Sequence, residues 1–290
     1  MTKVNMSGEI VDEADAKISV FDHGLLYGDG IFEGIRIYNR CIFKYSEHID
    51  RLYDSARAIS LTIPISKQTF QDEIIKTCIE NKIDSGYLRV IVTRGIGGLG
   101  VSSITCKNPQ YIIISKEVDP LHGAKSVEDG VDVITTSIRR ASSTAIPVQA
   151  KTLNYLNLVM AVAQAQALGK QDALMFNEQG YLTEGVGDNV FIIKNRVICT
   201  PPPNSGCLAG ITRNSVIEIA SKMGYSVVEI NMTLYDIYVA DEIFLTGTLA
   251  EIVPVKSVDG EKIGNGQVGD LTKKIASEFR KYIVNNGVKY

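Results

Sequence analysis

No stretch of this sequence approaches the about 18 apolar residues that a membrane-spanning helix requires. Residues Met1 to Asp15 carry Glu9, Asp12, Glu13 and Asp15, where a secretory signal would place basic residues and then an apolar run. Only three histidines occur, His23, His48 and His122, too few for a histidine-rich metal centre, so no metal site is expected. The five cysteines (Cys41, Cys78, Cys106, Cys199 and Cys207) are scattered, odd in number and never form a C-x-x-C pair. That spacing excludes a disulfide scaffold or a zinc site and fits reduced thiols in the cytoplasm. Charge of one sign is also lacking. A net charge of -3, mixed along the chain, offers neither a nucleic-acid surface nor a polybasic membrane patch.

What is present is an ordinary globular composition, 45% hydrophobic and 22% charged, over 290 residues, enough to bury a large core without staples. The patterning alternates strands and helices. Strands are expected at Ala16 to Phe21, Gly30 to Tyr38, Cys41 to Tyr45, Gly86 to Arg94 and Gln110 to Ser115. A helix fits His48 to Ile59 with Ser46 as its N-cap, and a second covers Lys67 to Asn81. Later come a strand at Val131 to Ile138, an alanine-rich helix from about Asn154 to Leu168, and a hairpin-like run joining Ala173–Asn177 to Val190–Ile193. A helix near Thr212 to Met223, strands at Ser226 to Ile230, Glu242 to Thr246 and Ile252 to Val255, and a last helix from Asp270 to Asn285 complete the chain. The expected architecture is α+β with mixed sheets: a small domain over 1–116, a Pro/Gly-containing linker over 117–128, and a larger domain over 129–290.

Gly95-Ile96-Gly97-Gly98-Leu99-Gly100 matches the G-x-G-x-x-G of dinucleotide sites, with Asp119 about 20 residues on. Val101 to Pro109, however, is poor in helix formers. A pyrophosphate needs the free amides and dipole of a helix N-terminus. A nicotinamide-dependent oxidoreductase is thereby disfavoured, and the run reads as a glycine loop at a sheet edge.

Four other segments can carry chemistry, and each has a plain structural alternative. Lys151 precedes the alanine-rich helix, whose N-terminal partial charge disfavours an ammonium and favours the neutral amine that Schiff-base chemistry uses; otherwise it is one more surface lysine. Glu184 lies in Thr183-Glu184-Gly185-Val186-Gly187-Asp188-Asn189, where a carboxylate can keep a pyridine nitrogen protonated or merely decorate a turn. Leu208-Ala209-Gly210-Ile211-Thr212-Arg213 opens a helix whose amides can cup a phosphate, Thr212 being alternatively just an N-cap; Arg51 can add a guanidinium or sit solvated on its helix. Gly247-Thr248-Leu249-Ala250-Glu251 is a small-residue turn able to bind an anion, or a simple hairpin.

In this order, together with Phe21-Asp22-His23-Gly24-Leu25-Leu26-Tyr27-Gly28-Asp29-Gly30-Ile31-Phe32-Glu33-Gly34-Ile35-Arg36, these segments resemble the fold-type IV pyridoxal-phosphate enzymes, specifically the branched-chain aminotransferases, over nearly the whole chain. The resemblance implies a pyridoxal 5'-phosphate cofactor held covalently by Lys151, which then shuttles the proton between the substrate Cα and the cofactor C4′. It implies Tyr155 on the cofactor's phenolic oxygen, Glu184 on its pyridine nitrogen, Leu208 on the ring face, and Arg51, Ile211, Thr212 and Thr248 around the phosphate. Tyr87-Leu88-Arg89 and the Phe32-Glu33-Gly34-x-Arg36 run match the branched-chain group and orient the substrate, with Tyr27, Leu99, Val101, Thr248 and Leu249 completing its site. Arg89 is also placed to meet the distal carboxylate of glutamate. The implied reaction is ping-pong transfer of the amine of leucine, isoleucine or valine to 2-oxoglutarate, in branched-chain amino acid biosynthesis. The implied partners are small amino and 2-oxo acids and further copies of the chain in a homodimer or higher assembly, with Gly95 to Val101 near the interface. Leu249 departs from the alanine common there. D-amino-acid, (R)-amine and aminodeoxychorismate enzymes of the same fold type stay open as alternatives.

Overall fold

The computed structural model describes residues 2–119, 121, 125–284 and 286–290. His122 and three other residues of the expected linker, Pro120, Gly123 and Ala124, lie outside the described residues, as does Asn285 at the expected end of the last helix. The chain forms two compact units, and the division is not a single cut. One unit holds Met1–Val118, Ala150–Asn154 and Asn286–Tyr290; the other holds Asp119–Gln149 and Tyr155–Asn285.

The first unit is built on a seven-stranded sheet: β1 (Lys3–Met6), β2 (Glu9–Asp12), β3 (Gly30–Tyr38), β4 (Cys41–Phe43), β5 (Gly86–Thr93), β6 (Gln110–Lys116) and a C-terminal strand, Gly287–Lys289. Their order across the sheet is C-terminal strand, β4, β3, β5, β6, β1, β2, all antiparallel. The expected strand at Ala16 to Phe21 does not form; the chain there is irregular and leads into the five-residue helix α1 (His23–Tyr27), capped by the Asp22 carboxylate on the Gly24 amide. The β1–β2 hairpin and the C-terminal strand are too short to show a periodic signal. In β3 the period-2 alternation sends Ile31, Ile35 and Ile37, all fully buried, to the face covered by α2 (Tyr45–Ala58), whose Ile49, Leu52 and Ala56 pack into the same core. Helix α2 starts three residues before the expected start at His48. Its N-cap is Lys44 in the left-handed region (φ 49°), not Ser46, and Lys44 pairs with Glu47 in the first turn. Helix α3 (Lys67–Glu80) follows, with the Ser66 hydroxyl accepting from the Thr69 amide.

The second unit carries a mixed nine-stranded sheet: β7 (Val131–Thr135), β8 (Asp172–Phe176), β9 (Leu182–Glu184), β10 (Asn189–Lys194), β11 (Val197–Thr200), β12 (Val227–Glu229), β13 (Glu242–Gly247), β14 (Glu251–Val258) and β15 (Glu261–Lys262). The order is β12, β11, β10, β13, β14, β7, β8, β9, with β15 beside β14; β11–β12, β14–β7 and β7–β8 run parallel. The expected pairing of Ala173–Asn177 with Val190–Ile193 is replaced. Strand β8 pairs with β9, while β10 lies between β11 and β13. Three buried residues, Leu182 to Glu184, make that strand, too few to alternate visibly in sequence. Among the described residues five helices complete the unit: α4 (Ser126–Asp129), α5 (Leu156–Ala167), α6 (Ile211–Lys222), α7 (Leu234–Tyr238) and α8 (Asp270–Ile283). Helix α8 buries Leu271, Ile275, Phe279 and Ile283, and the Glu242 carboxylate accepts from the amides of Leu271 and Thr272 at its N-terminus, where negative charge is favoured. Among the described residues no helix is long and apolar enough to cross a membrane.

Candidate active site

In the first unit the site grows from the face of β3 opposite α2. Residues paired directly across an antiparallel ladder share a face, and Gly34 opposes Arg89, Arg36 opposes Tyr87 and Phe32 opposes Ile91. Arg89 leans diagonally, so that its guanidinium lies 4.2 Å from the centroid of the buried Phe32 ring. Tyr87 leans over Gly34: a Cβ there would sit 2.0 Å from the Tyr87 hydroxyl, so only glycine permits the approach. The segment carrying Lys151 lies extended along the same strand, with the Phe32 amide donating to the Lys151 carbonyl (3.0 Å) and Ile31 bridged to Thr152. Lys151 Nζ lies 4.7 Å from the Phe32 ring centroid, and the Lys151 amide donates to Ser55 Oγ of α2 (3.0 Å). Phe32, Gly34, Tyr87, Arg89 and Lys151 are therefore brought together. The helix after Lys151 begins at Leu156, with Tyr155 as its N-cap, and not at Asn154.

Other expected substrate residues lie differently. Arg36 donates to the Val118 carbonyl (2.9 Å) and stacks on Tyr38. Tyr27 donates to the Leu99 carbonyl, and His23 Nε2 meets the Gly98 carbonyl (2.8 Å), so α1 holds the glycine loop. Leu99 and Val101 are 72% and 82% exposed and line no buried wall within their unit. Only the single 3-10 turn Ser103–Thr105 follows that loop before β6, so it lacks the helix N-terminus a dinucleotide would need.

Arg51 is not a solvated helix charge. Its Nε and Nη2 donate to the two oxygens of Glu33 (2.7 and 2.9 Å), and His48 Nδ1 meets Glu33 Oε2 at 2.8 Å. Burial alone would push the Glu33 carboxyl up. The Arg51 guanidinium and the His48 bond outweigh it and hold the group down at about 2. Burial pushes the His48 imidazole below its ordinary value, against the pull of Glu33.

In the second unit the buried Glu184 ends β9. Its carboxylate meets Arg140 Nε (2.7 Å) and accepts from Asn189 Nδ2 (3.2 Å) and the Leu208 amide (2.9 Å). Those donors fix where this carboxylate points. Cys207 beside it is no rival nucleophile, since burial first and Glu184 second push its thiol up to about 12. The α6 N-cap is Gly210, not Thr212, and no side chain caps the helix. A Cβ on Gly210 would fall 2.0 Å from Asn189 Oδ1, so glycine is needed to bring this helix start against the Glu184–Asn189 strand end. Ile211 and Thr212, both buried, supply the first two helical amides. Thr248, Leu249 and Ala250 form the three-residue loop between β13 and β14, closed by Glu251 at φ 62°, and the Leu249 carbonyl accepts from the Leu121 amide (3.1 Å). Beside that loop, Thr246 Oγ1 is buried with no partner among the described residues.

In the second unit the groups fit a pyridoxal phosphate: an uncapped helix start takes an anion, an oriented carboxylate takes a pyridinium, and the orphaned Thr246 hydroxyl beside the Thr248–Ala250 loop lacks the partner a ligand would supply. In the first unit the Lys151 amine can take an aldehyde. Two supports escaped the sequence reading. Arg140 follows no periodic signal. The Glu33–His48 pair was visible only as an acid on the isoleucine face of β3 and a His-x-x-Arg spacing on one face of α2.

The amino-transferase class IV family model matches residues 30–258. A putative branched-chain-amino-acid aminotransferase of Methanocaldococcus jannaschii is 47% identical over 287 residues, 99% of this chain and 98% of that protein. The crystal structure of the Escherichia coli branched-chain amino acid aminotransferase superposes with a TM-score of 0.94 at 35% identity, covering 97% of this chain and 94% of that one. The T.th. branched-chain amino acid aminotransferase complexed with N-(5'-phosphopyridoxyl)-L-glutamate gives 0.92 at 34% identity, with coverages of 97% and 94%. The chain belongs to the class IV aminotransferases and, within them, to the branched-chain-amino-acid aminotransferase family.

Proposed function

We propose that the protein exchanges the amino group of leucine, isoleucine or valine with 2-oxoglutarate by a ping-pong mechanism on pyridoxal 5'-phosphate. When bound, that cofactor supplies an electron sink for the charge left as the substrate Cα loses its proton. Lys151 would hold it covalently and, once the incoming amine has displaced its ε-nitrogen, would take the proton from the substrate Cα and deliver it to the cofactor C4′, with the reverse transfer in the second half-reaction. Glu184, oriented by Arg140, Asn189 and the Leu208 amide, keeps the pyridine nitrogen protonated. Tyr155 meets the phenolic oxygen, Leu208 the ring face, and Arg51, Ile211, Thr212 and Thr248 the phosphate. The amides of the Thr248–Leu249 loop receive the substrate carboxylate.

The observation that carries the substrate class is the β3–β5 face beside Lys151, where the Phe32 ring is bounded by the Arg89 guanidinium and Tyr87. An apolar ring favours a branched aliphatic side chain, at about 0.8 kcal/mol for each buried methylene. The neighbouring cation serves the distal carboxylate of glutamate. Phosphopyridoxyl-glutamate in the T.th. relative supports the same pairing of cofactor and acceptor. The enzyme acts as a homodimer in the cytoplasm, and five free cysteines fit that reducing compartment. The test is a panel of single donors mixed with the holoenzyme while the cofactor spectrum is followed. Conversion by L-leucine and L-glutamate but not D-alanine is expected; conversion by D-alanine alone would move the protein to a D-amino-acid enzyme of the same fold.

A further inference from the structure

We infer that Glu33 and His48 are positioning residues that set the orientation of the Arg51 guanidinium for the cofactor phosphate; this rests on the reading of Arg51 as a phosphate ligand. Glu33 lies on the core face of β3, between Ile31 and Ile35, and is fully buried. A carboxylate there is costly to desolvate, and its isoleucine neighbours show that an apolar side chain would satisfy the packing. Its bonds account for it. One edge of the guanidinium, Nε and Nη2, lies fork to fork on the carboxylate. The remaining support comes from His48, three residues earlier on α2.

An ionised carboxylate only accepts, so His48 must carry its proton on Nδ1, and the ring holds Glu33 Oε2 in place. Two donors from one helix thereby fix the carboxylate, and the carboxylate fixes the plane of the guanidinium. A free arginine side chain carries rotamer freedom that would be lost on meeting a phosphate. Here that freedom is lost on folding, before any anion arrives. The same face of α2 presents Ser55, whose hydroxyl accepts from the Lys151 amide. A single helix face thus sets both the phosphate-facing cation and the backbone of the lysine, and the Glu33 clamp ties that face to the strand under Phe32.

A merely structural pair that fastens α2 to β3 would affect every ligand alike, whereas a positioning role is specific to phosphate. The test therefore compares the affinity of apoprotein for pyridoxal 5'-phosphate with that for pyridoxal, which lacks the phosphate, by fluorescence titration. Wild type, R51A, E33Q, E33D, H48L and H48N are compared, with a thermal unfolding midpoint for each. R51A should lower the phosphate-to-pyridoxal preference by tenfold or more, and E33Q and H48L by about tenfold, with pyridoxal affinity kept within twofold. H48N, whose amide can replace the Nδ1 donor, should restore the preference to within about threefold, and E33Q added to R51A should cost no further preference. Loss of preference in R51A but not in E33Q, E33D or H48L overturns the positioning role and leaves the phosphate reading intact. An unchanged preference in R51A overturns the phosphate reading itself. Equal loss for both ligands in E33Q and H48L makes the pair structural and also refutes the inference.

Discussion

Asp172 opens β8 directly beneath the bend that follows Glu184, and replacing it with asparagine should stabilise the protein at neutral pH. The carboxyl is 3% exposed; its Oδ1 accepts from the Ala173 amide at 2.7 Å and the Val186 amide at 3.3 Å. Burial pushes it up to about 6, against those two bonds. A group raised in the folded state holds its proton there while the unfolded chain has already lost it. Its contribution is therefore fully present below about 3.8 and is lost as pH rises through about 6. That displacement corresponds to about 3 kcal/mol at pH 8. Asparagine keeps the accepting oxygen for both amides and carries no charge to desolvate. Urea unfolding followed by circular dichroism, from pH 4.5 to 8, should find D172N ahead of wild type by only about 1 kcal/mol at the acid end. The variant should pull ahead by about 3 kcal/mol at pH 8, at similar m-values. A difference that does not change with pH, or a variant less stable at pH 8, would show that the burial argument is mistaken.

Other perturbations follow from the same contacts. Gly34→Ala drives a methyl group to within 2.0 Å of the Tyr87 hydroxyl and should cost about 1–3 kcal/mol, most of it recovered in a Tyr87→Ala background; equal costs in both backgrounds would contradict the contact. Arg140→Met strips a buried carboxylate of its cation and should destabilise by about 3–5 kcal/mol and weaken cofactor binding, with Glu184→Gln restoring much of the stability but not the binding, as unfolding and spectral titrations would report. The depressed Glu33 carboxyl, at about 2 against an ordinary 4.5, contributes about 3 kcal/mol that is present above pH 4.5 and disappears as pH falls toward 2; Glu33→Gln should flatten that part of an acid-unfolding curve.

Where one face of an element is apolar over several turns, the sequence is readable. α3, α6 and α8 lie within two residues of their expected bounds because apolar residues repeat at the helix period, and β3 matches its expected bounds as a β-rich run closed by the Asn39-Arg40 turn. The β9 strand and the C-terminal strand have three residues each, and their pairing is decided by distant partners in the sheet. The segment from Ala16 to Phe21 looks β-like locally, yet it forms no ladder and passes instead into the Asp22-capped turn of helix. In the candidate site, Glu184 and the α6 start stand out in the sequence by their flanking glycines, and Lys151 by the helix that follows it. The contacts that orient Glu184 and Arg51 come from afar. Arg140 reaches Glu184 from 44 residues away, and His48 and Arg51 meet Glu33 across a helix–sheet interface. No local spacing encodes such contacts, although an acid on an isoleucine-lined strand face signals that a cation must be near.

In the proposed function the ε-nitrogen of Lys151 carries the cofactor. Borohydride reduction of the holoenzyme, followed by proteolysis and mass spectrometry, should find a phosphopyridoxyl group on the peptide containing Lys151 and on no other lysine. Saturated, folded enzyme that yields this peptide unmodified, or the adduct elsewhere, would rule out Lys151 as the cofactor lysine.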